Sequence, residues 1–440
     1  PSTGCLSMSA TQHAQRWSLT TRNIGHIMVH SQLMLQHQTI KQLRSLVVQH
    51  FGVPIDRVAV VRAPYRICPL GAHIDHQLGT VTAMALDQAV HVAFAPSRSG
   101  EVVLNSIDFP GEIRFSIDHV PPARRGDWGN YARGAVQALQ QRCHLRTGIC
   151  GVTAGRMDGG GLSSSAAIGV ALLLALQHAN GLKVSPEENI DLDQRIENDY
   201  LGLRNGILDQ AAILLSRRDQ LTWIDCLTRA YRLLPPPANA HGFEILIVFS
   251  GLKQALVATD YNQRVQECSA AAEKLLAAAG RLDAPRVLRS VTPEQYDACK
   301  HVLKGAEARR AKHFFDEMDR VQQGLKAWDD GDWHRFGQLI NQSGISSIDN
   351  YQCGCPPLID LYQILRDTPG VLGARFSGAG FRGCCVALVE TQSGESAAES
   401  ILARYRQQHP DLADAAYSLV CQTADGAAVI GKEHLIELLD

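Results

Sequence analysis

The chain has 440 residues, enough for two sizeable cores rather than one small module. Hydrophobic residues make up 45% and charged residues 20%, which excludes wholesale disorder. Lys and Arg number 42 against 44 Asp and Glu. Such a balance lacks the electrostatic footprint of a nucleic-acid binder, and no apolar run approaches the roughly 18 residues of a membrane helix. The twelve cysteines show no zinc spacing, and a chain this long does not need a disulfide framework, so a reducing compartment is expected.

The first acidic residue is Asp56, and only Arg16, Arg22, Lys41 and Arg44 carry formal charge before it. This Ser-rich, acid-free start predicts a disordered extension over residues 1–37; its composition also resembles a transit peptide. Ile40, Leu43, Leu46 and Val47 recur at helical spacing and predict a helix over 38–50, stopped by Gly52-Val53-Pro54. Short β-type runs follow at 58–63, 89–95 and 101–106, then helical stretches at 128–142, 163–180 and 185–200. Three consecutive prolines within 232–242 mark a linker, since proline stops either regular structure. Beyond it come a strand at 243–249, helices at 261–280 and 294–328, a Gly-rich turn and a strand at 384–390. The expected fold class is α+β in two domains, 38–235 and 240–440.

Four segments carry chemistry. In GGGLSSSAAIGVALLLAL, residues 159–176, three glycines lead into a helix that opens with three serines. A Gly-rich approach to a helix N-terminus suits phosphate, because orphan N–H groups and the helix dipole both favour anions. The spacing predicts that the serine hydroxyls face outward, where one can reach Mg²⁺; no Gly-Lys-[Ser/Thr] follows, so this is not a Walker loop. In RAPYRICPLGAHIDHQLG, residues 62–79, prolines and glycines predict a non-helical loop crowded with Arg66, His73, Asp75 and His76. The His-x-Asp-His spacing matches no common zinc pattern, and the density of polar groups suits a hydroxyl-rich ligand. IENDYLGLRNGILDQ, residues 196–210, supplies Glu197 and Asp209. One carboxylate for Mg²⁺ and one for proton abstraction is what phosphoryl transfer to a hydroxyl asks for. GARFSGAGFRGCCVALVE, residues 373–390, contains a formal G-x-G-x-x-G, but it leads into a strand rather than a helix and so is not a dinucleotide fingerprint.

Together these segments resemble the GHMP kinase superfamily, in its galactokinase-like branch. The resemblance spans residues 62–388 and implies a two-domain fold with the active site in the cleft between them. It implies a sugar-1-kinase with ATP as co-substrate and Mg²⁺ as cofactor, small-molecule substrates, no nucleic-acid or membrane partner, and a cytoplasmic location. Carried over position by position, Arg66 and Asp209 fall on the catalytic pair, and Gly159, Gly160, Gly161, Leu162, Ser163, Ser164 and Ser165 on the ATP-phosphate loop. Ser165 and Glu197 fall on the Mg²⁺ ligands, and Ala72, His73, Asp75, Gly206 and Tyr261 on the sugar-contacting positions. Arg382 stands where the third motif usually has Gly. Ala72 replaces a Glu that, in galactokinases, accepts a hydrogen bond from the hydroxyl on sugar carbon 6. A Glu beside a carboxylate at carbon 6 would repel it by about 1 kcal/mol in water and several in a drier site. Ala removes that repulsion, and Asp75 with Tyr261 keeps the galacto face of the ring read. The expected substrate is D-galacturonic acid, phosphorylated at its anomeric hydroxyl, with Arg204 or His73 as donor to the carboxylate. A galactokinase or other neutral-sugar kinase, and a non-catalytic sugar sensor, are the alternatives.

Overall fold

The computed structural model describes residues 37–155, 160–238, 240–252 and 260–431. The extension expected over residues 1–37 lies outside them except for its last residue. Helix α1 (37–51) buries Ile40, Leu43 and Val47 against Val58, Val60, Ala93, Val152 and Ala154, so its apolar stripe covers one face of the first sheet.

That sheet contains β1 (Ala59–Ile67), β2 (Thr80–Ser97), β3 (Glu101–Ser106), β4 (Ile113–Ser116), β5 (Gly148–Ala154), β6 (Leu221–Asp225) and β7 (Tyr231–Leu234). The order is β1-β2-β5-β3-β4, antiparallel except for the parallel β3–β5 pair, with β6 on β2 and β7 on β6. Helices α2 (Asn130–Gln140), α3 (Ser164–Asn180), α4 (Pro186–Arg195) and α5 (Leu208–Leu215) pack with it. α3 is buried nearly all round, as its unbroken apolar run requires. α4 opens with a capping box, Ser185 and Glu188, and Pro186 at its first position.

The second sheet runs β11-β8-β10-β9, from β8 (Phe243–Phe249), β9 (Val371–Phe376), β10 (Cys384–Glu390) and β11 (Tyr417–Cys421), all antiparallel. This half of the chain also holds α6 (Tyr261–Ala278), α7 (Pro293–Cys299), α8 (Gly305–Asp329), α9 (Trp333–Ser346), α10 (Pro356–Arg366) and α11 (Gly394–Gln408). α9, α10 and α11 pack against the sheet, while α8 packs on α9, on α6 and on β2 of the first sheet. The chain then returns: β12 (Thr423–Ala424) pairs with β2 and β13 (Ala428–Val429) with β1. The unit expected over 240–440 therefore gives its last described strands to the first sheet.

Several expectations need correction. β1 does not stop at Ala63 but passes Pro64 with a shift of register before Arg66, so Arg66 sits on a strand and not in a loop. β2 begins at Thr80 rather than 89; its first eight residues are buried on both faces and offer no alternation to read. The helix expected over 185–200 ends as α at Arg195 and continues as one π-helical turn, Ile196–Tyr200. The helix expected over 294–328 is interrupted by extended backbone at Leu303 and Lys304. β7 takes up Tyr231–Leu234, leaving the linker to start at the prolines.

Candidate active site

The end of β1, the turn after it, the start of α3, the π-turn and the start of α5 meet at one place. Arg66 is buried, and both its Nε and Nη2 donate to Asp209 Oδ1 at 2.7 Å. Its Nη1 reaches the Gly161 carbonyl at 3.4 Å, and its backbone N–H donates to the Leu162 carbonyl at 3.3 Å. Burial opposes the charge on Arg66, yet the contact with Asp209 outweighs it and raises the guanidinium above its ordinary value.

The described part of the phosphate-loop candidate is held down by the third Gly-rich turn. Ser377 Oγ donates to the Gly161 carbonyl at 2.8 Å. Gly161 has φ +87°, and a Cβ there would lie 2.7 Å from the Ser377 carbonyl oxygen, so both backbone sign and space require glycine. Gly160 lies against the Phe249 ring, Leu162 is buried, and Gly159 falls outside the described residues. Arg382 is exposed and is not among the left-handed residues, so its presence in the turn imposes no backbone strain.

The serines differ from expectation. Ser163 and Ser164 are buried rather than outward-facing. Ser163 precedes the helix in the left-handed region, φ 58°, and its buried hydroxyl has no partner among the described residues. A β-carbon-bearing residue held there stores strain of the kind found at ligand-binding turns. Ser165, half-buried, shares hydrogen bonds with the Glu197 carboxylate and with Tyr131.

Glu197 enters from the π-turn, and Asn205 Nδ2 donates to its Oε2. Its Oε1 is buried without a partner among the described residues. Burial, followed by the charge of Asp209, pushes the Glu197 carboxyl up to about 7. An orphaned carboxylate oxygen beside a serine hydroxyl is a hard oxygen donor set that fits Mg²⁺. No cluster of three or more His, Cys, Asp or Glu forms a metal cage among the described residues.

Asp75 faces Asp209 from the turn between β1 and β2. Its Oδ2 accepts from the Leu208 N–H at 3.4 Å, and Gly206 fits because a Cβ there would sit 2.6 Å from that oxygen. Burial, then the charge of Asp209, pushes Asp75 up to about 6. Tyr261, at the start of α6, is buried and close enough to feel Asp75, Asp209 and Glu197. His73 has φ 57° and stacks on Tyr351 at 4.3 Å between ring centroids; burial, then Arg375, drives its pKa well down, so the ring is neutral. Ala72 is buried. Arg204 is solvent-exposed in the segment between the π-turn and α5.

Three family descriptions match: the galactokinase galactose-binding signature over residues 48–96, the GHMP kinase N-terminal domain over 130–217 and the GHMP kinase C-terminal domain over 322–410. A galacturonokinase of Arabidopsis thaliana is 47% identical over 415 residues, covering 89% of this chain and 98% of the relative. The chain belongs to the GHMP kinase family. A galactokinase of Roseiflexus sp. (strain RS-1) is 36% identical, covering 88% of the chain and 96% of the relative. The crystal structure of Lactococcus lactis galactokinase complexed with galactose superposes with a TM-score of 0.82 at 28% identity, over 89% of this chain and 100% of that one. A mevalonate kinase structure shares the fold, with a TM-score of 0.58 at 15% identity over 83% of this chain and 99% of that one. Within this GHMP kinase, Tyr131 on α2, Asn205 in the irregular segment before α5, and Tyr351 also join the site, although the sequence motifs single out none of them as a site residue. Among the described residues no helix is long and apolar enough to cross a membrane.

Proposed function

We propose that this GHMP kinase transfers the γ-phosphoryl group of ATP to the anomeric hydroxyl of D-galacturonic acid, yielding α-D-galacturonate 1-phosphate and ADP in the cytoplasm. The observation that carries the substrate is Ala72, a small neutral residue where an acid would oppose a carboxylate on carbon 6, in the same turn as Asp75. The high identity to a relative named galacturonokinase supports the reading.

In this mechanism Asp75, Gly206 and Tyr261 hold the sugar so that its anomeric oxygen faces Asp209. Asp209 accepts the hydroxyl proton while that oxygen forms the new bond to the γ-phosphorus and the bond to the bridging oxygen of ADP breaks. Arg66 orients Asp209 through its two-nitrogen contact and offers positive charge to the transferring group. The loop over residues 160–165 gives its backbone N–H groups to the phosphates. Ser165 and Glu197 would hold Mg²⁺, which when bound supplies charge neutralisation at the β- and γ-phosphates. The paired Arg66 and Asp209 support a catalyst over a non-catalytic sensor.

The test is ADP release with ATP and Mg²⁺ on galacturonate, galactose and glucuronate side by side. Strong turnover of galacturonate with little of galactose is expected. Turnover of galactose alone would overturn the substrate, and no turnover despite ATP binding would overturn the activity.

A further inference from the structure

The turn that carries Ala72 is gripped from the other half of the chain. Glu317 on α8 is fully buried, and its Oε2 accepts the backbone N–H groups of Gly71 and Ala72, both at 3.0 Å. The same oxygen accepts from Ser343 Oγ on α9 at 3.1 Å, and Oε1 accepts from Arg320 Nε at 2.6 Å. Burial opposes ionisation of Glu317, but the guanidinium charges, Arg320 first and then Arg375, outweigh it and hold the carboxyl below its ordinary value. A charged acceptor shared by two backbone N–H groups is a strong, directional hold.

One helical turn earlier, His313 Nε2 donates to the Ala72 carbonyl at 2.9 Å. A carbonyl only accepts, so the proton sits on Nε2. Nδ1 of the neutral ring then accepts from the Ser346 hydroxyl at 2.9 Å, and Ser346 Oγ accepts from Asn350 Nδ2 at 3.0 Å. Both backbone polar groups of Ala72 are thus bound by side chains of one distant helix. The grip extends to both ends of the turn. A Cβ on Gly324 would lie 2.1 Å from Leu70 Cδ1, and the Thr80 N–H donates to Met318 Sδ at 3.2 Å.

We propose that Glu317 and His313 are positioning residues for substrate choice: they fix the Ala72 backbone, and with it the space beside sugar carbon 6. Selection at that carbon is then set by α8 together with residue 72. This rests on the galacturonate reading above. Neither residue is assigned a place at the reacting atoms; both act through Ala72.

The experiment compares His313→Leu, which removes the donor to Ala72, with His313→Gln, whose side-chain amide restores one. For each, kcat and KM are measured for galacturonate, galactose and ATP, together with Tm. In the Leu variant KM for galacturonate is expected to rise about 10-fold and the galacturonate-to-galactose ratio of kcat/KM to fall at least about 5-fold, with KM for ATP within about 2-fold. The Gln variant should recover most of that ratio. A lower Tm with an unchanged ratio would overturn the proposal, because His313 would then serve stability alone.

A second pair guards against a variant that fails to fold. Glu317→Gln with Arg320→Met keeps an oxygen for the two N–H groups and removes the arginine that would be left unpaired. Glu317→Leu with Arg320→Met keeps neither. The first should hold the ratio and the second should lose it; equal ratios would overturn the proposal. If the unaltered enzyme does not phosphorylate galacturonate, the functional reading itself falls. If it does and the variants keep its selectivity, only this inference falls.

Discussion

Arg66 directs two of its nitrogens at a single oxygen of Asp209, Oδ1, and its third at the carbonyl of Gly161, just before α3. One buried guanidinium therefore ties the proposed base to the proposed nucleotide loop, and among the described residues Asp209 Oδ2 makes no hydrogen bond. In the proposed mechanism that oxygen is the one left to a substrate hydroxyl. Asp209→Asn keeps the shape but weakens the pair and removes the base. Turnover should fall about 10²- to 10⁴-fold, while a non-hydrolysable ATP analogue binds within about 3-fold by calorimetry. Retained turnover would remove Asp209 from its role.

Ala72→Glu tests the substrate argument at its own position. A carboxylate about 4 Å from the carboxylate of galacturonate costs around 1 kcal/mol in water and several in a drier site. The expected result is a rise of about 10-fold or more in KM for galacturonate, with galactose turnover gained or improved. Steady-state kinetics on both sugars decides it. An unchanged preference would mean that residue 72 does not face carbon 6.

What could be read in advance follows from how local the signal is. β3, β8 and β10 match their expected spans residue for residue, because each is a short run of β-branched or apolar residues bounded by turn formers. α3 is equally plain, as a Gly-to-Ser entry into an apolar run. The first half of β2 and the end of β1 carry no periodicity because they are buried on both faces. At the site, Arg66 and Asp209 are recognisable through motif resemblance, but their contact spans 143 residues and belongs to tertiary packing. Glu317 and His313 are harder still. They sit on the buried face of α8 among Phe314, Val321 and Trp328, and only the fold shows that the partners of these polar groups are backbone atoms of the turn between β1 and β2.

Stability should depend on pH through the site. Burial, then the charge of Asp209, raises Asp75 from 3.8 to about 6 and Glu197 from 4.5 to about 7. Each carboxyl keeps its proton in the fold at a pH where the unfolded chain has released it. The folded state thus binds more protons between about pH 4 and pH 7, and raising the pH across that window favours unfolding. The ligand-free enzyme should lose on the order of 1–3 kcal/mol per carboxyl across the window. Asp75→Asn should flatten the lower part of the curve. Melting temperatures measured against pH for both proteins check this, and an unaltered slope in the variant would remove Asp75 from the account.

The proposed sugar side and the proposed nucleotide side of the site each contain a glycine with no room for a Cβ. A methyl group on Gly206 would sit 2.6 Å from Asp75 Oδ2 and from its backbone carbonyl carbon, neither of which can give way without moving the proposed sugar contact. Gly161 meets two obstacles: its φ of +87°, and the Ser377 carbonyl oxygen 2.7 Å from the added Cβ. Relief of that clash must pull the loop off the third Gly-rich turn and away from Arg66 Nη1. Gly206→Ala should therefore raise KM for the sugar about 10-fold or more while KM for ATP stays within about 2-fold. Gly161→Ala should do the reverse, weakening ATP first, with a larger fall in kcat because Arg66 loses one of its anchors. The two variants measured together make the contrast decisive. If both raise the same constant, the division of the cleft into a sugar side at Asp75 and a phosphate side at Gly161 is wrong.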